Sequence, residues 1–314
     1  MLSRIAESLF WIGRYVERAD DTARILDVHI HFVLEDSHVD VDALSRSLLS
    51  VMDQDVDPHH LITQPEVMAR LAHDVASPSS IAGALSAARE NARRAREVIS
   101  TELWECLNTT HNQLRRETRR QSDHAFLAWV RERGAVVSGL MDSSTSRDAT
   151  WQFMVLGRSI ERADMTARLL ATQALAGGTG PGWTVLLRSC GAYESFLRTY
   201  RGRATDERAA AFLLLDRSFP RSIVYALERA ERCLRELEPA GADEAGDRSG
   251  EIGDARRRLG FVRSSLEFRP SAEIMANLPA EMESVQRACS AASDLVRSRY
   301  FPSAAQVTWV GEAL

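Results

Sequence analysis

Apolar and small side chains recur every three or four positions from Ile5 through Leu9, Ile12, Val16, Ala19, Ala23, Leu26 and Ile30 to Val33. That spacing keeps one stripe on one face of a 3.6-residue helix and predicts a single helix of about 30 residues, roughly 45 Å long. Similar patterns cover 41–52, 66–72, 80–107, 123–141 and 148–175, then 184–200, 206–215, 221–237, 251–268 and 280–299. Pro279 suits the start of the last of these. No alternating run of β-branched residues competes with them. The pattern predicts an all-α protein, a bundle of long helices.

One helix pattern occurs twice. Residues 13–26 read GRYVERADDTARIL and residues 157–170 read GRSIERADMTARLL, ten identities in fourteen at an offset of 144. This predicts an internal duplication: a single domain, 1–301, of two halves (about 1–145 and 146–301) related by a pseudo-twofold, followed by a tail, 302–314. On a helix, Arg14, Glu17, Arg18, Asp21 and Arg24 share one flank, while Gly13, Val16, Ala19 and Ala23 line another. The small residues leave room for a second helix backbone.

The repeated charges have two main readings. Solvated ion pairs are worth only about 0.5 kcal/mol each, so retention in register argues for a buried network or for a ligand- or partner-binding cleft. The candidates are Arg14, Glu17, Arg18, Asp20 and Arg24 with Arg158, Glu161, Arg162, Asp164 and Arg168. Arg14 can reach Glu17 at i+3, and Asp20 can reach Arg24 at i+4. Arg18 and Arg162 are then left for a carboxylate across the pseudo-twofold, Glu161 or Glu17, or for a ligand. A di-iron reading of Glu17, Asp20, Glu161 and Asp164 is weaker, because such bundles use Glu-x-x-His and three arginines surround each acid pair. The Glu-x-x-His at Glu35 and His38 falls where the first helix ends.

Composition narrows the classes. All 39 basic residues are Arg, with no Lys in 314, which removes P-loop, Schiff-base and Ser–Lys chemistry. A net charge of -5 gives no electrostatic case for nucleic acid or an anionic membrane. Cys106, Cys190, Cys233 and Cys289 form no CxxC pair, and the eight histidines, all in the N-terminal half, have no ligand spacing. There is no signal-peptide layout and no run long enough to span a bilayer. The chain is expected to be cytoplasmic, without metal or cofactor. Two polar, glycine-containing stretches, 177–182 and 238–247, read as connectors.

A second charged helix adds Glu90, Asn91 and Arg93 to the candidate binding residues, with i,i+4 pairs expected at Glu90–Arg94 and Arg93–Glu97 and Trp104 anchoring its end. Together with the opening SRIAESLFWIGRYVERAD, the stretches 90–93, 102–108 and 157–168, and Leu214–Ser222, it resembles the bacterial alpha-E family. The resemblance implies an all-helical protein found beside, or fused to, circularly permuted ATP-grasp proteins, with transglutaminase-like peptidases as further neighbours. It therefore implies an accessory component of an amide- or peptide-ligase system, binding the ligase or an acidic or peptidic substrate. No catalytic residue carries over. The alternatives are an enzyme using the repeated carboxylates as acid–base groups and a carboxylate-metal bundle.

Overall fold

The computed structural model describes residues 2–35, 40–57, 59–175, 182–201, 205–238 and 251–301. The 177–182 connector, most of 238–247, His38 and the tail 302–314 lie outside them, Gly182 and Glu238 excepted. The described residues are all-α, with fourteen helices and no strand. Two long helices, α1 (Ser3–Glu35, 33 residues) and α7 (Ala149–Leu175, 27 residues), pack on each other at the centre.

Around α1 lie α4 (Ile81–Arg94), α5 (Thr101–Arg120) and α6 (Asp123–Ser144). Around α7 lie α11 (Ile223–Leu237), α12 (Glu251–Phe268) and α14 (Leu278–Tyr300). The contacts run in parallel: α4 packs on α1 and α5, and α5 on α6, as α11 packs on α7 and α12, and α12 on α14. Short helices α2 (Val41–Val51), α3 (Gln64–Met68, continued by a π-turn through His73), α8 (Gly182–Ser189), α9 (Tyr193–Tyr200), α10 (Asp206–Leu215) and α13 (Ser271–Ala276) fill the connections. One hydrophobic core joins the N-terminal part of α1 to α7 and the C-terminal helices, through Leu9, Phe10, Met154 and Leu227. A second lies between the later turns of α1 and α2 to α6, through Leu26, Leu49, Ile81 and Phe126.

Two expected helices are broken. The 80–107 pattern ends at Arg94 and restarts at Thr101, because the Ser100 hydroxyl accepts from Leu103 N and caps a new helix. Glu97 therefore falls between helices, and Arg93 bonds Glu90 instead, at 2.7 and 3.0 Å. Trp104 opens α5 rather than closing α4. The 184–200 pattern divides at Gly191, whose φ of +60° suits a residue without Cβ. Neither break carries a proline, so periodicity ran through both. No helix among the described residues is long and apolar enough to cross a membrane.

Candidate functional site

The α1–α7 contact is a glycine crossing. A Cβ on Gly13 would lie 2.0 Å from the Met154 carbonyl oxygen, and one on Gly157 would lie 2.1 Å from that of Phe10. Each helix thus presses its backbone into the other where a side chain is missing. One turn beyond each glycine stands a glutamate, and the close approach brings it under the arginines of the opposite helix.

Glu161 receives Arg18 Nε at 2.5 Å and Nη2 at 3.1 Å, and Arg14 Nε at 2.6 Å. Glu17 receives Arg162 Nε at 2.6 Å and Nη2 at 2.8 Å. The expected i,i+3 pair of Arg14 with Glu17 does not form, because Arg14 crosses to Glu161. The i,i+4 pairs do form, Arg24–Asp20 and Arg168–Asp164, each at 2.9 Å. Both glutamate side chains are 3% exposed. Burial pushes their pKa upward, but the arginines outweigh it and hold both at about 2.

The two ends of this crossed clasp differ. Asp21 occupies the place where the second copy has Met165. Arg221, from the turn before α11, meets that extra acid: it bonds Asp20 and Asp21 closely and Glu17 Oε1 at 3.0 Å. Burial, then the charges of Glu17 and Asp20 against the pull of Arg221, push Asp21 up to about 7. Burial likewise raises Asp164, against Arg168. Asp20 Oδ1 and Asp21 Oδ2 have no hydrogen-bond partner among the described residues. The carboxylates of Glu17, Asp20 and Asp21 converge as a metal site's would, but Arg221 reaches all three. Arg158 makes no ion pair or hydrogen bond with the described residues, and burial and then Arg162 lower its pKa against the opposing charges of Glu17 and Asp142.

Arg221 was not among the expected site residues, although a second echo points to it. Residues 74–81 read DVASPSSI and residues 216–223 read DRSFPRSI. In both turns the Asp Oδ1 accepts from a backbone N–H two residues on, at 2.9 Å, and the Ser caps the next helix through Gly83 N or Tyr225 N. The Pro78 carbonyl accepts from Arg18 and that of Pro220 from Arg162. Ser79 stands where the other turn has Arg221.

Glu90, Asn91 and Arg93 are not brought into the clasp. Their bonds to Arg94, Ala87 and one another close within α4. The four thiols are free and buried, and burial pushes Cys190 and Cys233 up to about 12, unfit for nucleophilic work.

Proteins from Mycobacterium bovis and Mycobacterium tuberculosis strain H37Rv, both described as uncharacterized, are each 25% identical over 317 residues. The alignment covers 90% of this chain but 36% of theirs, so the chain spans about a third of the length of the curated relatives it matches. No solved structure matches it. The family model for Alpha-E, described as an alpha-helical domain with a conserved ER motif, matches residues 1–301. Helices throughout, and Glu-Arg pairs at 17–18 and 161–162 set face to face, agree with that description: the chain belongs to the Alpha-E family.

Proposed function

We propose that this protein is an accessory, non-catalytic component of an ATP-grasp-type amide-ligase system, binding the ligase or an acidic or peptidic substrate through the arginine-rich side of the clasp. The observation that carries the reading is the saturation of the repeated glutamates. A general acid or base needs a pKa near the operating pH and reach to its substrate. Glu17 and Glu161, held at about 2 and sealed by arginines, have neither.

Arg158 keeps its charge without a direct ion pair, with Arg162 and Arg229 as well as the carboxylates of Glu17 and Asp142 close enough to act on it. Guanidinium forks of this kind suit carboxylates and phosphates. The relatives carry the matching region inside longer chains, as suits a module that works beside others. The paired echoes at 13–26 with 157–170 and 74–81 with 216–223 support two related halves, 1–145 and 146–301. The partner is a circularly permuted ATP-grasp protein, with a transglutaminase-like peptidase as a second associate, in the cytoplasm and without nucleic acid.

One observation favours an enzymatic reading: Asp21, pushed up to about 7, has the pKa of a general base. Its burial beneath Arg221 weighs against that role. Co-purification with the ATP-grasp protein tests the proposal. A stable complex, weakened by Arg158→Ala, is expected. Substrate turnover by the isolated chain, or no complex with the ligase and no binding of its substrate, would overturn it.

A further inference from the structure

At the far end of α1 from the glycine crossing, the fold joins histidines that are 93 positions apart. Asp27 and His31 stand one turn apart on α1, and His124 enters from the first turn of α6. His31 Nε2 lies 3.3 Å from His124 Nδ1, which lies 2.6 Å from Asp27 Oδ1, and His31 Nε2 is 3.8 Å from that same oxygen.

A hydrogen bond engages only two of these three atoms at a time and leaves the third to solvent. If His124 Nδ1 carries a proton, it donates to Asp27 and offers no lone pair to His31. If His31 Nε2 carries one, the carboxylate is too far to take it. A cation satisfies all three atoms at once. For metal–ligand bonds of about 2.0–2.2 Å, tetrahedral geometry sets ligand atoms roughly 3.3–3.6 Å apart, and small side-chain rotations bring the triangle to that shape.

We propose that Asp27, His31 and His124 form a binding site for a divalent transition metal of the Zn²⁺ class. Arg131 Nη1 holds the other Asp27 oxygen, Oδ2, at 3.0 Å and so aims Oδ1 at the metal, as outer-shell partners do. Asp27 is buried, while both histidines are at least half exposed, which gives the ion a route in. Asp27 and His31 line a cleft of about 470 Å³ together with Arg24, Arg131, Arg188 and Glu194. Water or an anionic ligand in that cleft would complete the coordination of a bound ion. Imidazole nitrogens with one carboxylate select Zn²⁺ over Mg²⁺ or Ca²⁺.

The test uses the full chain stripped with a chelator and titrated with Zn²⁺ by calorimetry, with Co²⁺ absorption reporting the geometry. One equivalent of Zn²⁺ and a tetrahedral Co²⁺ spectrum are expected. His31→Ala and His124→Ala should each weaken binding by more than the about 10–100-fold that losing an outer-shell partner costs. His111→Ala should leave it unchanged, and circular dichroism should show every variant folded. Absence of stoichiometric Zn²⁺ binding, or binding that survives the His31/His124 double substitution, would overturn the site.

Discussion

Arg18 grips Glu161 through two nitrogens although 143 positions separate them, and Arg162 returns the grip on Glu17 across the same crossing. Each long helix thus supplies both an acid and its neutralising base to the other. Removing one member of a buried pair leaves an uncompensated charge and costs about 3–5 kcal/mol. The double variant Arg18→Ala, Arg162→Ala is therefore expected to lose at least that much stability in urea unfolding. Arg14 and Arg221 still hold one oxygen each, so the fold survives but melts lower. An unchanged unfolding midpoint would show that the clasp does not hold the helices together.

Acid should open the same clasp. Glu17 and Glu161 sit at about 2 in the fold against about 4.5 for an ordinary glutamate. A carboxylate lowered on folding stabilises the native state above its unfolded value, and that stabilisation is lost as pH falls through the window between the two. Unfolding midpoints should hold at pH 5 and drop steeply from about 4.5 towards 2. The double variant Glu17→Gln, Glu161→Gln should start lower and show a shallower drop. Asp21 works with the opposite sign: raised to about 7 from 3.8, it favours the fold while protonated and loses that contribution as pH rises through this window. Asp21→Asn should flatten the alkaline decline between pH 5 and 8.

Backbone contact makes Gly13 and Gly157 sensitive to any added side-chain atom. A Cβ at either Gly13 or Gly157 meets a carbonyl oxygen that cannot rotate away. Gly→Ala at a solvated helix position would add about 1 kcal/mol of stability. Here each is expected to cost about 3 kcal/mol or more through overpacking, and the pair should be less than additive, because one separation of α1 from α7 relieves both. Gly139→Ala, with nothing near its Cβ, is the control and should be neutral or stabilising.

Much of this was legible before folding. The 3.6-residue stripe showed the helices, and the 144-residue echo showed which two meet and which acids and arginines they bring. The partner of Arg14 was not legible, because local i,i+3 geometry offered Glu17 while the glycine crossing set Glu161 nearer. The breaks at Ser100 and Gly191 hid for a related reason: a serine cap and one glycine end a helix without disturbing the apolar period around them. The meeting of His31 with His124 was not legible either, because 93 positions separate them and only the packing of α6 on α1 brings them together.

The asymmetry of the clasp yields the sharpest test. Where one end carries Asp21 and Arg221, the equivalent positions of the other carry Met165 and Ser79. The acid and the base that answers it are therefore present or absent together. Arg221→Ser alone strands Asp21 beside Glu17 and Asp20 and should cost about 3–5 kcal/mol. Adding Asp21→Met removes the stranded charge and gives this end the composition of the other. Arg158 should then swing to Glu17, as Arg14 already meets Glu161. The double variant is expected to be more stable than Arg221→Ser alone, with a coupling of about 1–3 kcal/mol in a double-mutant cycle. A coupling near zero would mean that Arg221 serves Glu17 and Asp20 independently of Asp21, and that the two substitutions between the copies are unrelated.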